Sequence, residues 1–521
     1  MSAANSFVAR PLPLRLPRLC VPVAGASASE MIEKAEAMVR DNSFLEFMLD
    51  YLKSPGLALP HIRRFLASRP GVVAIATCRR AANGGKFRGS VASQLDVLAK
   101  AAVNGCQLLD LELQTAASIK PADLERLRGG GSLILSFHDF QATRNLEKTF
   151  ERMQQFRADF YKVVATATTL YDNVVMMKLL ERVRNTHSVV GVCMGEQGII
   201  SRVLGLRAGS VWTFAAASPG EETAPGMITA KTLRDVYRIE QVDAATKVYG
   251  VAGNPVSHSL SPPMMNGAFR RENVNAVYLA LHAKSLADLL KCVHEIPIHG
   301  LSVTMPYKEE IVQYLDNSDA WTQKTGACNT VVRAQDGKLY GFNTDVAGIV
   351  QPVEQRLSLP GAKVLVLGAG GAARAAVFGL KARGAEVFIL NRTPAPAQKL
   401  ARQAKAKVIK RSDLKKLSFD LIINATPVGM ESAQASPLSE KEIKTKYVLD
   451  MVYTEQETRF ARLAATQGAT IIPGWEMFVY QGARQFEIWT GKPAPLPEMQ
   501  NEVLSALAAR ARDANNQRKS K

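Results

Sequence analysis

The stretch KVLVLGAGGAARAAVFGLKARGAEVFILNRT, residues 363–393, reads as one complete strand, turn, helix and strand unit. A short apolar run leads into Gly368-Ala369-Gly370-Gly371, and Ala373 completes a G-x-G-x-x-A pattern. Glycines there make a tight turn, let backbone approach a pyrophosphate, and open a helix whose N-terminus favours an anion. The strand before and the amphipathic helix after supply the context such a motif requires. Gly368, Gly370, Gly371 and Ala372 are therefore candidate dinucleotide contacts. At the end of the second strand, where an NAD site offers a carboxylate to the ribose, stand Asn391, Arg392 and Thr393. A carboxylate would repel a 2′-phosphate and a guanidinium can grip it, so the expected cofactor is NADP.

Working outward toward the N-terminus, eight short apolar, β-branched runs alternate with helix-like segments. They are 19–24, 43–49, 71–78, 106–113, 132–138, 159–167, 188–194 and 210–216. Eight such alternations over roughly 230 residues are the count of a (β/α)8 barrel, whose chemistry sits at the C-terminal strand ends. Glu112, His138 and Lys162 fall at or near those ends, and Arg202 follows the seventh run. A helix-like segment at 229–239 closes the barrel, and polar 240–246 links it to a new strand at 247–253.

Two lysines stand out. Lys162 lies inside the apolar run YKVVATA (161–167), and Lys308 closes LSVTMPYK (301–308). Burying an amine disfavours its charge, which makes such a lysine costly unless it is used. Lys162 follows a His-Asp pair at 138–139, and Lys308 precedes Asn-Thr-Asp at 343–345, so the chain reads as holding two active sites.

Composition bounds the rest. At 521 residues, 47% apolar and 21% charged, the chain is globular and multi-domain. No uninterrupted apolar run reaches the roughly 18 residues of a membrane span, so a soluble protein is expected. The net charge of +18 is spread along the chain, which suits anionic small substrates and a phosphorylated cofactor better than nucleic acid. Six cysteines without a CxxC pair fit reduced core thiols and a cytoplasmic location. Residues 1–18 are expected to be a flexible arm and the basic tail 511–521 to be disordered. The seven histidines lack metal-ligand spacing, His258 reads as a loop residue, and no metal is expected. Oligomeric state is not legible.

Residues from 247 to about 495 resemble shikimate dehydrogenase through NPVSHSLSP (254–262), SVTMPYK (302–308), GACNT (326–330), GFNTD (341–345), the glycine turn, NRT (391–393), NATPVGM (424–430) and PGWEMFVYQ (473–481). Residues 19–240 resemble type I 3-dehydroquinate dehydratase through LDLEL (109–113), SFHDF (136–140), the Lys162 strand, MGEQGIISR (194–202) and APG (224–226). Together they are similar to the bifunctional dehydroquinate dehydratase/shikimate dehydrogenase family. The resemblance implies an α/β fold: a (β/α)8 barrel over 19–240, then a two-lobed α/β dehydrogenase. Its parts would be a shikimate-binding domain over 247–350, a Rossmann NADP-binding domain over 351–474, and C-terminal helices over 475–510 returning to the substrate domain.

In the barrel the resemblance implies a Schiff base between Lys162 and the ketone of 3-dehydroquinate, with His138 moving the proton at the adjacent carbon. Glu112 would orient His138 or the substrate, Arg202 would hold the carboxylate, and Glu46, Arg79 and Thr223 would line the ring oxygens or the acid group. In the second half Lys308 and Asp345 would form the catalytic pair, reducing 3-dehydroshikimate to shikimate with NADPH. Ser259 and Ser261 would bind the carboxylate, and Thr304, Asn329, Tyr453 and Gln481 the hydroxyls, although both serines also fit a plain helix start. Thr426, Met451 and Gly474 would join the glycine turn around the cofactor.

The barrel departs from the family pattern at three positions. Met48 stands where the family has arginine, Met227 where it has glutamine, and Asn83 where it has glutamate. Lost polar contacts to a hydroxylated acid cost about 1–3 kcal/mol each. A weakened barrel, serving as a binding module, is the alternative to a working dehydratase, and a quinate dehydrogenase is the alternative in the second half.

Overall fold

A computed structural model describes residues 11–256, 259–430, 432, 434–454 and 456–519, with side chains described as far as Arg512. His258 lies outside the described residues. The chain forms two compact units: one holds the residues up to Thr246 together with Leu281–Ile296, the other Lys247–Ala280 and the residues from Pro297 onward.

In the first unit the eight expected runs all form strands: β1 Leu19–Val23, β2 Phe44–Met48, β3 Val73–Thr77, β4 Leu108–Glu112, β5 Ser132–His138, β6 Phe160–Thr166, β7 Val189–Met194 and β8 Thr213–Phe214. Consecutive strands pair in parallel from β1 to β7, and β8 pairs in parallel with β1. A bond from the Val211 N–H to the Val189 carbonyl draws the last edge toward β7. Because helices cover the outside and side chains fill the inside, the strands are apolar on both faces. The interruptions, Glu46, Asp110 and Lys162, are buried polar residues in the middle of strands.

One end of the barrel is filled by an aromatic cluster in which Trp212 lies 5.3 Å from Phe44 and 5.2 Å from Phe160. Leu12 and Leu16 pack against this cluster, so the expected flexible arm is docked from residue 11. Leu281–Ile296, inside the expected 247–350 domain, packs with the first unit. Its Asp288 accepts the N–H groups of Leu170 and Tyr171 at 2.7 and 3.2 Å, where the helix Tyr171–Val183 begins.

The second unit holds two six-stranded sheets. The first comprises β9 Lys247–Gly253, β10 Ala276–His282, β11 Ile298–Val303, β12 Asn317–Ser318, β13 Thr330–Arg333 and β14 Leu339–Phe342, in the order β10-β9-β11-β13-β14-β12. The second comprises β15 Lys363–Leu367, β16 Glu386–Leu390, β17 Lys407–Val408, β18 Phe419–Asn424, β19 Thr445–Asp450 and β20 Thr470–Pro473, in the order β17-β16-β15-β18-β19-β20. Every pair in that sheet is parallel. This is a doubly wound arrangement whose order reverses beside β15, the place where open α/β sheets bind ligands.

The helices Gly474–Thr490 and Leu496–Lys519 follow β20. Phe486, Trp489, Met499 and Val503 from them join Tyr249, Phe269 and Tyr278 in the core of the first sheet. The last helix runs to Lys519, so the tail is helical as far as that residue, where disorder was expected.

Candidate functional site

Lys162 enters the barrel interior from β6 and is 4% exposed. Its Nζ lies 3.0 Å from Glu46 Oε1 of β2 and 3.0 Å from Asp110 Oδ2 of β4. The Phe214 ring of β8 sits 4.3 Å beneath it. Each carboxylate is itself fixed: Thr77 Oγ1 donates to Glu46 Oε1 at 2.6 Å, and Ser136 Oγ donates to Asp110 Oδ1 at 2.6 Å. Burial alone would depress the amine, but Asp110 and Glu46 more than offset it and hold Lys162 above the ordinary lysine value.

The same cavity is lined by His138, Arg79, Arg202 and Thr223. Burial, followed by the charges of Arg79 and Lys162, holds His138 well below the usual imidazole value, so it stands neutral and able to accept a proton. Arg202 is 1% exposed and makes no ion pair among the described residues; burial lowers it to about 10. Its Nη2 donates to the Pro225 carbonyl at 3.1 Å, while its Nε and that of Arg79 are buried without a partner. Two buried guanidiniums with unpartnered Nε atoms in one cavity suit an anionic, oxygen-rich ligand. Met48 and Met227 also line this cavity, and Thr223 Oγ1 lies 3.4 Å from Met227 Sδ.

Glu112, expected to orient His138 or the substrate, is bonded to other groups. Its carboxylate accepts the Arg80 N–H at 2.7 Å and Gln94 Nε2 at 2.6 Å, and it does not line the cavity. The strand end turns it toward the loop that follows β3, which it anchors. Asn83 is likewise not among the cavity-lining residues, and its Nδ2 lies 3.4 Å from Thr115 Oγ1.

Two carboxylates escaped the sequence reading. Asp110 sits in LLDLE, where the argument used for Lys162, a charge in an apolar strand, would have found it. Asp50 lines the cavity and is 3% exposed; Oδ2 accepts the Lys86 N–H at 3.0 Å and Oδ1 has no partner. Burial raises its carboxyl to about 6, despite the Lys86 bond and the nearby Arg79 charge.

In the second unit Lys308 Nζ lies 2.6 Å from Asp345 Oδ2. Asn329 Nδ2 donates to the other oxygen of Asp345 at 2.8 Å and stands 3.4 Å from Gln481 Oε1. Four of the expected residues thus meet. Gln485, one turn beyond Gln481, was missed: its Nε2 donates to the Asn329 carbonyl at 3.1 Å and its Oε1 accepts Ser302 Oγ at 2.7 Å. Tyr453 packs 5.2 Å from Phe478, on the helix that carries Gln481, and Thr304 follows β11 directly. Ser259 Oγ accepts the Ser261 N–H at 3.1 Å where the helix Ser261–Arg271 begins, so it fills at least the helix-starting role.

The candidate cofactor residues gather along the C-terminal edge of the parallel sheet. The Gly368 N–H bonds the Leu390 carbonyl, placing the glycine turn beside Asn391, and the Ala425 N–H bonds the Leu367 carbonyl, placing Thr426 alongside. Met451 and Gly474 follow β19 and β20. Gly368 has φ +111°, and a Cβ there would meet the Ala425 carbonyl oxygen at 2.9 Å, so only glycine fits. At Gly370 and Gly371 a Cβ would meet nothing within 4 Å, which leaves the N-terminus of the helix Gly371–Ala382 open to a pyrophosphate. Arg392 and Thr393 are exposed, and Asn391 Nδ2 donates to the Thr393 carbonyl at 2.8 Å. The residues present fit a phosphorylated dinucleotide.

Among the described residues no group of three or more His, Cys, Asp or Glu could hold a metal, and no helix is long and apolar enough to cross a membrane.

A buried-amine barrel fused to a Lys-Asp pair beside a Rossmann sheet defines a joined lyase and oxidoreductase. Known proteins agree in order along the chain. Type I 3-dehydroquinase matches residues 19–244, and the shikimate dehydrogenase substrate binding domain matches 251–331. Shikimate/quinate 5-dehydrogenase matches 351–450, and the shikimate 5'-dehydrogenase C-terminal domain matches 474–504. The bifunctional 3-dehydroquinate dehydratase/shikimate dehydrogenase, chloroplastic, of Arabidopsis thaliana is 35% identical over 512 residues, 94% of this chain and 84% of that protein. The shikimate dehydrogenase (NADP(+)) of Pyrococcus furiosus is 37% identical over 275 residues, 52% of this chain and 99% of that protein. A shikimate 5-dehydrogenase from Thermus thermophilus, solved with NADP(H) and shikimate, is 35% identical with a TM-score of 0.48, covering 50% of this chain and 100% of its own. The chain belongs to the bifunctional 3-dehydroquinate dehydratase/shikimate dehydrogenase family.

Proposed function

We propose that the chain performs two consecutive steps: dehydration of 3-dehydroquinate to 3-dehydroshikimate in the barrel, and NADPH-dependent reduction of that ketone to shikimate in the second unit. The observation that carries the first step is the amine of Lys162, buried in a cavity shared with His138, Arg79 and Arg202. Lys162 condenses with the substrate ketone, and the iminium acidifies the neighbouring C–H. Neutral His138 takes that proton and returns it to the departing hydroxyl, which leaves as water. Arg202 holds the substrate carboxylate, while Arg79, Thr223 and Glu46 face the ring oxygens. Hydrolysis of the iminium restores the lysine and frees the product.

In the second unit Ser259 and Ser261 hold the carboxylate, and Thr304, Asn329, Tyr453 and Gln481 surround the hydroxyls. NADPH, when bound, supplies hydride to the ketone. Gly368, Gly370, Gly371 and Ala372 hold the pyrophosphate, Asn391, Arg392 and Thr393 the ribose phosphate, and Thr426, Met451 and Gly474 the nicotinamide half. Lys308 gives its proton to the developing alkoxide and Asp345 keeps the ammonium in place, a pairing supported by the 2.6 Å contact.

Incubation with 3-dehydroquinate and NADPH should consume cofactor. Lys162→Ala should abolish this while sparing reduction of added 3-dehydroshikimate; loss of both rates, or of neither, defeats the reading. Met48 and Met227 in the cavity favour a second reading, a barrel that binds without turnover. Borohydride trapping on the intact protein, read by mass, separates the two, since a binding-only barrel yields no adduct. Quinate is the rival substrate of the second unit, and the serine pair at 259 and 261 favours shikimate. Six free, buried cysteines support a reducing compartment, for which we propose the cytoplasm, although the Arabidopsis relative is named chloroplastic. Cell fractionation decides between them.

A further inference from the structure

We propose that Arg374 is a positioning residue of the dehydrogenase. Through the Thr325 carbonyl it holds the turn that organises Lys308 and Asp345, so that occupancy of the cofactor site tightens the substrate site. The inference rests on the dehydrogenase reading above and adds to it a residue that the chemistry leaves unused.

Arg374 stands in the first turn of the helix Gly371–Ala382, whose N-terminus is open to the pyrophosphate. Its N–H donates to the Gly370 carbonyl at 2.9 Å, so its backbone is built onto the phosphate cradle. Its side chain leaves the parallel sheet altogether. Nε donates to the carbonyl of Thr325, the last residue of the helix Ala320–Thr325, and residues 326–329 lead from there into β13 of the other sheet. A Cβ added at Gly326, which has φ +65°, would stand 3.3 Å from Arg374 Nη2, so the guanidinium lies against the turn itself. No carboxylate pairs with Arg374 among the described residues, which leaves a backbone carbonyl as its fixed partner.

The turn held in this way carries the catalytic pair from two sides. The Cys328 N–H donates to the Lys308 carbonyl at 2.7 Å, and Asn329 Nδ2 donates to Asp345 Oδ1 at 2.8 Å. Asn343 Nδ2 donates to Thr325 Oγ1 at 3.0 Å and to the Ala327 carbonyl at 2.8 Å, while its Oδ1 accepts the Asp345 N–H at 3.1 Å. Residues 325–329 thus hold Lys308 by its backbone and Asp345 by its carboxylate directly and by its N–H through Asn343. Any shift of the segment changes the 2.6 Å contact between the two. Trp321, one turn before Thr325, packs on the apolar core of the parallel sheet, and Arg374 adds a directional bond to that apolar contact.

The consequence is energetic. An anion held at Gly370 and Gly371 restrains the first turn of the helix, and with it Arg374 and the segment 325–329. A substrate arriving afterwards has less of its site to order and binds more tightly. Linkage requires the converse, with substrate tightening cofactor by the same factor.

The test is calorimetry of shikimate on the full-length protein, without and with saturating NADPH, a pair that cannot react because both are reduced. The kcat for reduction of 3-dehydroshikimate is measured beside it. On the unmodified protein NADPH should tighten shikimate by about tenfold. Arg374→Gln places Nε2 where Nε stood and keeps the donor without the charge, so tightening and kcat should stay within about twofold. Arg374→Met fills a similar volume without a donor; tightening should fall below about twofold and kcat by about tenfold, with shikimate affinity unchanged when NADPH is absent. Should the methionine variant lose its near-ultraviolet circular dichroism, Arg374→Lys, which has no donor at the position of Nε, takes its place with the same expectation. A methionine variant that keeps the tightening and kcat, with only KM for NADPH raised, overturns the inference and leaves Arg374 a cofactor contact. A glutamine variant as impaired as the methionine one overturns it in favour of the charge, and so does an unmodified protein whose affinity for shikimate ignores NADPH. Absence of any NADPH-dependent reduction of 3-dehydroshikimate by the unmodified protein defeats the dehydrogenase reading itself, a result the variants cannot mimic.

Discussion

The two lysine sites solve opposite problems. Lys162 is 5% exposed at its side chain and lies between two carboxylates; Lys308 is 23% exposed and pairs with one. An amine that becomes part of a covalent bond benefits from a dry setting with counter-charges prepared for the iminium. An ammonium that gives up a proton on each turnover has to regain one, and partial exposure keeps water in reach. On the proposed roles, the surroundings of a lysine, more than its presence in an apolar run, separate nucleophile from proton donor.

The comparison breaks most readily at the lysines themselves. Replacing Lys162 by Met strands Glu46 and Asp110 as buried neighbouring carboxylates, and the barrel should lose about 3–5 kcal/mol along with all dehydratase turnover. Replacing Lys308 by Met should lower reduction by about 10²–10⁴-fold yet cost less stability than the Lys162 change, because Lys308 is partly exposed and the buried Asp345 keeps its bond from Asn329. Urea unfolding of both variants beside their rates checks this, and equal stability losses would erase the contrast.

Asp50 sharpens it through pH. Its carboxyl is raised from 3.8 to about 6 by burial, so between those values the folded chain binds more protons than the unfolded one, and stability falls as pH rises. The penalty is fully present above pH 6 and, at about 1.4 kcal/mol per pKa unit, amounts to about 3 kcal/mol. Asp50→Asn should thus stabilise the barrel by about that much at pH 7.5 and by almost nothing near pH 4. A shift of the urea midpoint that does not depend on pH would exclude this origin.

In the second unit Arg392→Ala should raise the KM for NADPH by about tenfold and leave NADH use nearly unchanged. Equal use of both cofactors by the unmodified protein would contradict the role given to Arg392. The smallest effect is expected for Glu112→Gln. It weakens a loop anchor at a cost of about 1–2 kcal/mol and should change kcat by less than tenfold, since Glu112 touches neither Lys162 nor the cavity. A collapse of kcat with stability intact would restore Glu112 to the catalytic group.

Much of the architecture was legible because it is local. Apolar runs of strand length spaced by helices announce parallel sheets covered on both faces, and Gly368 to Gly371 announce the phosphate turn. The misreadings share one cause. Glu112 and Asp110 are two residues apart on the same strand, so both point to the same side by alternation. The strand's end then gives Glu112 to the Arg80 N–H and Gln94, while Asp110, deeper in the barrel, reaches Lys162. Residues 1–18 and the tail 511–521 carry no local signal of order, but Leu12 and Leu16 pack on an aromatic cluster and the last helix continues to Lys519. The helix near Asp288 likewise took its place from contacts made far along the chain.

Chain-local chemistry settles which segments become strands, where an anion is cradled and which residues are costly to bury. Partnership is settled by closure of the sheet. Glu46 and Asp110 reach Lys162 across 116 and 52 residues of sequence, because a barrel turns side chains from separated strands toward one axis. Alternation along a strand states inside or outside; the angle around that axis, and hence the neighbour, depends on how all eight strands meet.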